Sequence, residues 1–400
     1  MLARVHKREL SFQEFVIIIS LMMSLTALSI DAMLPALPAI GSELAVQNSN
    51  DRQLVISTLF LGLAFGQLFF GPLSDSTGRK PAMYAGFIIY IGGSLLSVLA
   101  VSFPIMILGR LLQGIGVSAP RAITLALVRD RYEGRIMARV MSFVMTVFIL
   151  VPMLAPALGQ TIMLFAGWRA IFLSFIAIAL FSMMWFALRM PETLAPERRA
   201  PFSFSRISRA TREVMTNRTA LGYTVSAGLI GGAFLGYLNS SQQIFQEQYA
   251  LDDLFPVIFA VVAFAIGLAS LTNTRLVMRF GMHLLIKQAL RIMVLLAVIA
   301  IGVALFTGGH PPLWFLMVYL MTSFFGVGIL FGNQNAAAME PLGRLAGIGA
   351  AIVGSLATLI QIPLGTVIGQ NYNGTVFPLI IGLGVLAALS LLVTTWAESA

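Results

Sequence analysis

The chain has 400 residues, 58% of them apolar and 10% charged, with a formal net charge of +9 and a mean hydropathy of +0.91. A soluble domain carries about 25% charged residues, so these proportions exclude a water-soluble globule and point to the bilayer as solvent. With no cysteine, and with histidine only at His6, His283 and His310, the chain has no disulfide framework, thiolate chemistry or cysteine- or histidine-rich metal centre. Transport, channel activity and membrane scaffolding remain.

Crossing about 30 Å of hydrocarbon takes about 20 apolar residues, and stretches free of Asp, Glu, Lys and Arg mark the crossings. They predict twelve helices, near 15–40, 54–74, 82–102, 104–128, 140–162, 170–189, 219–240, 254–272, 288–306, 312–333, 345–370 and 375–396. Two long uncharged stretches divide at turn-forming clusters, Thr307-Gly308-Gly309-His310-Pro311-Pro312 and Asn371-Tyr372-Asn373-Gly374. Runs of this length, apolar on all sides, exclude a β-barrel, whose strands alternate over about 10 residues. The expected fold class is an all-α membrane protein, with twelve transmembrane helices in two pseudo-symmetric six-helix bundles. Residues 1–190 and 218–400 form the halves, and 191–217, with Pro191, Pro196, Pro201 and charges of both signs, form a cytoplasmic linker. Internal repetition is confined to an echo between Gly78-Arg79-Lys80 after span two and Gly281-Met282-His283 after span eight.

Lys and Arg set the orientation, because cytoplasmic loops retain them. With the N-terminus inside, twenty-one fall in inner loops and tails, from Arg4, Lys7 and Arg8 to Arg344, whereas the outer loops keep Arg52 and Arg169. An even number of spans returns the C-terminus to the inside. The positive charge thus reflects topology and anionic headgroups, with no nucleic acid implied. A cleaved signal peptide is the competing reading of the first 30 residues, but the apolar run is too long and contains Asp31.

Within the spans only Asp31, Arg110 and Arg121 are ionisable at interior positions, and an intramembrane charge is a functional hypothesis by default. Asp31 stands nine residues before Ile40 and Arg110 six after Pro104, about 13 Å and about 9 Å from the outer ends of their helices. The two could meet across a bundle. Asp31 could hold a proton when isolated and release it when Arg110 or a cationic substrate approaches; alternatively, a permanently ionised pair only fixes helix packing. Pro35 and Pro38 interrupt the end of span one, so Asp31 could also cap a broken helix. Arg121 follows Arg110 by eleven residues, which puts both on one face of span four about 16 Å apart, with Gln113, Gly114 and Val117 continuing that face. No acidic partner for Arg121 is evident. It either snorkels towards the cytoplasmic headgroups or offers a fixed positive charge to an anionic substrate.

Uncharged polar groups complete the candidate cavity: Gln113, Asn239, Gln242, Tyr319 and Gln361, with Ser142, Thr146, Gln243, Thr322 and Ser323 as weaker candidates. Gly62 with Gly66, Gly228 with Gly232 and Gly236, and Gly365 with Gly369 fall at the four-residue spacing that lets helices approach closely.

Gly71-Pro72-Leu73-Ser74-Asp75-Ser76-Thr77-Gly78-Arg79-Lys80-Pro81 follows span two and resembles the signature loop of the major facilitator superfamily. Leu28-Ser29-Ile30-Asp31-Ala32-Met33-Leu34-Pro35-Ala36-Leu37-Pro38 is similar to the first-helix motif of the twelve-helix drug:proton antiporters, and Leu108-Gly109-Arg110-Leu111-Leu112-Gln113-Gly114 to their fourth-helix motif. Val151-Pro152-Met153-Leu154-Ala155-Pro156-Ala157-Leu158-Gly159 resembles the fifth-helix antiporter motif. With Gly167-Trp168-Arg169-Ala170-Ile171-Phe172 and the segment from Glu192 to Arg199, the likeness is closest to the bicyclomycin-resistance (Bcr/CflA) branch. Two positions depart from it. Met23 stands where some related exporters carry a second acidic residue, and Arg121 stands where a small or polar residue is expected.

The resemblance implies a major facilitator fold and a proton-driven exporter working by alternating access. Asp31 and Arg110 would couple protons; Gly71, Asp75, Gly78, Arg79 and Lys80 would latch the halves on the cytoplasmic side when the cavity opens outward; Pro152, Pro156 and Gly159 would shape a helix that bends. The expected partners are a small-molecule substrate, protons and the bilayer, for a monomer in a bacterial inner membrane with both termini cytoplasmic. No cofactor is expected beyond the proton gradient. The resemblance implies amphiphilic antibiotics or metabolites as cargo, whereas the basic cavity suggests an anionic or zwitterionic one, such as a carboxylate siderophore or an amino acid derivative. An importer of the same fold is the rival reading. A membrane enzyme would need clustered intramembrane carboxylates or a serine–histidine pair.

Overall fold

A computed structural model describes residues 10–399, except the side chains of Ala138, Phe148, Ile149, Arg344 and Ala346. The basic residues Arg4, Lys7 and Arg8 lie outside the described residues, as does the side chain of Arg344. The described chain is helical without strands. The first half contains α1 (Phe12–Asp31), α2 (Leu37–Glu43), α3 (Leu54–Thr77), α4 (Arg79–Val98), α5 (Phe103–Arg131) and α6 (Gly134–Arg189). An amphipathic helix α7 (Phe204–Thr216) lies in the connector. Six helices follow: α8 (Arg218–Gln242), α9 (Phe255–Phe280), α10 (Met282–Phe306), α11 (Leu313–Met339), α12 (Ala346–Gln370) and α13 (Phe377–Glu398).

Eleven of the described helical stretches are long and apolar enough to cross a membrane, and one of them, α6, runs for 56 residues with non-helical backbone at Gly167 (φ 74°). Gly167 divides α6 into the fifth and sixth spans, which gives the expected twelve. The first span is also composite, since α1 stops at Asp31 and continues through a 3-10 turn at Leu34–Ala36 into α2. Pro35 and Pro38 lack the N–H that an unbroken helix would need. Several helices run past the expected ends: α9 continues to Phe280 and α11 to Met339. A charge-free stretch measures the part in hydrocarbon, whereas helical hydrogen bonding carries on into the polar region.

Packing follows a two-fold pattern. In the first half α3 and α4 pack on α5 and α1 on α6; in the second, α9 and α10 pack on α11 and α8 on α12. Between halves, the second span (α3) meets the eleventh (α12) and the fifth (α6) meets the eighth (α9), the exchange that a two-fold relating the halves requires. The spaced glycines serve these contacts. Gly62 lies against the Leu111 carbonyl and Gly114 of α5, and Gly236 against Ile368 beside Gly365 of α12, so backbones meet where any side chain would intrude.

Charges sort by face. The end carrying Arg79, Arg129 and Arg279 is the basic face; at the opposite face Arg52 pairs with Glu247 at 3.2 Å and Arg169 pairs with Glu43. The echo between the halves is structural too. Gly78 (φ 104°, ψ 161°) and Gly281 (φ 75°, ψ 157°) each end one helix and begin the next with no residue between. Such backbone is essentially confined to glycine, and another residue pays about 1–3 kcal/mol of strain. Gly78→Ala and Gly281→Ala should each lower the thermal unfolding midpoint in detergent, Gly78→Ala more because its methyl would also press on Glu192. Midpoints equal to wild type would refute the assignment of these turns.

Candidate functional site

Between the halves lies a cavity of about 820 Å³, walled by α1, α3, α5 and α6 on one side and α8, α9, α11 and α12 on the other. Its lining runs from Asp31 and Tyr237 in the interior to Asp75, Arg79 and Arg129 at the basic face. Towards the opposite face the halves are bonded shut. The Asn50 side chain donates to the carbonyls of Gln370 and Tyr372, both at 2.9 Å, and accepts from Gln243 Nε2 at 2.8 Å. Deeper in the same seam, Asn239 Nδ2 donates to Ser57 Oγ at 3.1 Å and Thr366 Oγ1 to the same atom at 3.0 Å. The cavity therefore opens at the basic face alone.

Asp31 is the last residue of α1, 5% exposed, and lines the cavity. Arg110 is completely buried and is not bonded to it. Its Nε donates to the Val55 carbonyl at 2.9 Å, one Nη to the Ser29 carbonyl at 2.8 Å and the other to Gln113 Oε1, with the Phe172 ring 5.9 Å from the guanidinium. Carbonyl dipoles thus satisfy the cation, and Asp31 and Arg110 do not meet as a direct pair; the link between them is indirect, since Ser29 sits two residues before Asp31 on α1. Gln113 in turn donates to Ser94 Oγ at 2.8 Å.

Arg121 is exposed to the cavity. Among the described residues it makes no hydrogen bond or ion pair. Gln361 also lines the space, but Gln113, Tyr319, Asn239 and Gln242 do not, correcting the sequence-based cavity set. Gln113 is occupied by Arg110, Tyr319 is packed inside the second half, and Asn239 and Gln242 lie on the closed side, where Gln242 donates to Gln246 at 2.9 Å. Sequence reading missed the aromatic wall. Tyr237 stacks on Phe259 at 5.8 Å between ring centroids and meets Phe324 at 4.6 Å. It also missed Gln67. The Tyr237 hydroxyl and Gln67 Nε2 are buried in this wall without a hydrogen-bond partner. Uninterrupted apolar runs hide which aromatic faces inward; only the lone Gln67 in span two was a readable signal.

Pro152 lines the cavity, and helical backbone continues through Pro152 and Pro156. Gly159 lies directly against the Ala32 backbone, leaving no room for a Cβ, so α6 touches α1 one residue beyond Asp31. At the basic face, Gly71 faces Ala351 of α12. Arg79 binds Asp75 at 2.6 Å and Asp130 at 2.9 Å, and Lys80 Nζ donates to the carbonyls of Ala187 and Met190. Glu192 accepts from the backbone N–H groups of Arg79 at 2.9 Å and Lys80 at 3.0 Å. Burial opposes its charge, but these donors and those of Leu194 and Thr193 outweigh it and hold its carboxyl below the usual range. That anchor is intact at neutral pH and is lost as pH falls through the depressed value. The whole cluster belongs to the first half and its connector.

The sequence profile of the Major Facilitator Superfamily matches residues 19–365. The chain belongs to that superfamily. Among its superfamily relatives, the uncharacterized MFS-type transporter YdgK of Bacillus subtilis is 30% identical over 347 residues, covering 86% of this chain and 85% of that one. A bicyclomycin resistance protein homolog of Haemophilus influenzae is 27% identical over 395 residues, covering 94% of each, in line with the resemblance read from the motifs. The xylose transporter XylE of E. coli, solved in a partially occluded inward-open conformation, shares the fold with a TM-score of 0.72 at 14% identity, over 96% of this chain and 97% of that one.

Since the chain lacks cysteine, single cysteines report access. Asn335→Cys, on the cavity wall, should react with a membrane-impermeant maleimide in nanodiscs at least tenfold faster than Ser241→Cys, buried on the closed side. Equal rates would contradict the one-sided opening.

Proposed function

We propose that the protein is a proton-driven antiporter that exports small amphiphilic molecules across the inner membrane of a bacterium by alternating access. The observation that carries this reading is a buried carboxylate, Asp31, without an ion-pair partner among the described residues, in the wall of a cavity between the halves. We assign the basic face to the cytoplasm, because basic residues are retained there. In that orientation the structure is inward-facing and ready to load cargo. The name of the bicyclomycin-resistance relative supports drug-like cargo.

The cycle follows from the wall's chemistry. Cargo entering from the cytoplasm displaces the proton on Asp31; the seam around Asn50, Ser57 and Asn239 then parts while the halves close at the basic face. There Asp75, Gly78, Arg79 and Lys80, pre-organised by Asp130 and Glu192, meet α12 near Ala351. Asn239 and Gln242, packed away in the inward-facing state, become wall residues of the outward-facing one. Protonation of Asp31 from outside releases cargo and resets the cycle, with Arg110 holding α1 at Ser29 so that the change at Asp31 moves α1 as a unit.

Asp31→Asn keeps the shape and removes the exchangeable proton. In proteoliposomes it should abolish uphill, pH-gradient-driven transport while retaining measurable, though weaker, substrate binding. Uphill transport at the wild-type rate would sink the mechanism.

A further inference from the structure

Two charges of opposite sign stand unpaired in one cavity. Asp31 lies at its inner end and Arg121 on the way to the basic face, and neither makes an ion pair among the described residues. The other charges of the wall are at the rim, where Arg79 takes up both Asp75 and Asp130, and Arg129 faces the open end. The same cavity is lined by an aromatic wall of Phe60, Phe259, Phe324 and Tyr237, with two polar atoms also lacking partners, the Tyr237 hydroxyl and Gln67 Nε2. A carboxylate buried at Asp31 is costly without a partner, and Arg121 presents an unpaired guanidinium to the cavity, so each position can receive a charge of opposite sign.

The signs of the charges restrict what that is. A purely cationic cargo would displace the proton from Asp31 but would leave Arg121 unmatched and repelling it. A purely anionic cargo would pair with Arg121, yet it would bind best while Asp31 is neutral, and so would travel with the proton, not against it. Only a molecule with both charges meets Arg121 and still competes with the proton. The spacing restricts it further. Arg110 bonds the Ser29 carbonyl and is therefore level with Asp31, and Arg121 lies eleven residues below it on α5, about 16 Å by helical rise. Arginine's long side chain takes up part of this and leaves a gap on the order of 10 Å, the length of about three extended residues. A free α-amino acid is too short.

We propose that the cargo is a zwitterionic amphiphile of roughly tripeptide length, its cationic end on Asp31, its anionic end on Arg121 and its apolar body on the Tyr237–Phe259–Phe324 wall. This rests on the reading of Asp31 as the exchange site. When the cargo's ammonium group arrives, the Asp31 proton leaves to solvent; the cargo is itself neutral, so the cavity's net charge falls by one.

The test uses the full-length protein in nanodiscs with three probes that share one body: the tripeptide Phe-Ala-Phe, its C-terminal amide and its N-acetyl derivative. One matched charge pair in such a site is worth about tenfold in affinity. The tripeptide should bind about tenfold tighter than either blocked form and release protons on binding. Arg121→Gln should bring the tripeptide down to the level of its amide, Arg121→Lys should keep most of the preference, and Asp31→Asn should bring it down to the N-acetyl form without proton release. Three probes within twofold of each other, undetectable binding of all three, tightest binding of the N-acetyl form, or an equal loss for all three in Arg121→Gln would each overturn the proposal. Asp31→Asn tested for transport reads the exchange site separately, so selectivity at Arg121 with coupling intact in that variant would fault the exchange reading alone.

Discussion

In hydrocarbon a polar group has no water to fall back on, so it must be bonded within the protein or face a wet cavity. The three intramembrane charges divide between these two solutions. Arg110 takes the first, surrounded by the Val55 and Ser29 carbonyls, Gln113 and the Phe172 ring. Asp31 and Arg121 take the second, as two of the residues that line the cavity. The break in span one belongs to the same solution. A proline-interrupted helix ending at Asp31 puts its carboxylate where backbone groups are already freed, beside the point where Gly159 lets α6 touch α1.

Placement of the remaining polar bonds sets what can move. At the basic face they lie within each half: Arg79 with Asp75 and Asp130 in the first, and Glu398 with Tyr223, His283 and Lys287 in the second. At the opposite face, beside the Arg169–Glu43 pair of the first half, several bridge the halves, through Asn50, Gln243, Gln370, and Arg52 with Glu247. Each half is thus stiffened internally while the closure is made of a few replaceable hydrogen bonds, each worth about 1 kcal/mol net. Such an arrangement suits rigid-body rocking between two states, because the seam can be traded for one at the basic face without unfolding either bundle.

Much of this fold was legible because membrane solvent imposes a simple rule on composition. The twelve spans followed from charge-free length, and the helix break from Pro35 and Pro38. Helix ends such as Phe280 and Met339 did not, since hydropathy is silent about helices that project into water. The site was half legible. Asp31, Arg121 and Gln361 stood out as polar residues in apolar runs and do line the cavity. Asn239 and Gln242 carried the same signal but sit in the closed seam; sequence records polarity at a depth and not which conformation exposes it. Tyr237 and Phe324 were invisible for the opposite reason, as aromatics among many aromatics. Whether Arg110 pairs with Asp31 was not legible, because a buried guanidinium can be satisfied by carbonyl oxygens, which every residue supplies.

The central claim is that proton occupancy of Asp31 selects which face of the cavity is open. Double electron–electron resonance between spin labels at Arg135 and Met278, exposed on the two halves near the basic face, measures that opening directly in nanodiscs. The account predicts two distance populations whose ratio changes with pH in the otherwise wild-type protein and is fixed in the Asp31→Asn background. The same pH-dependent shift in both would contradict it.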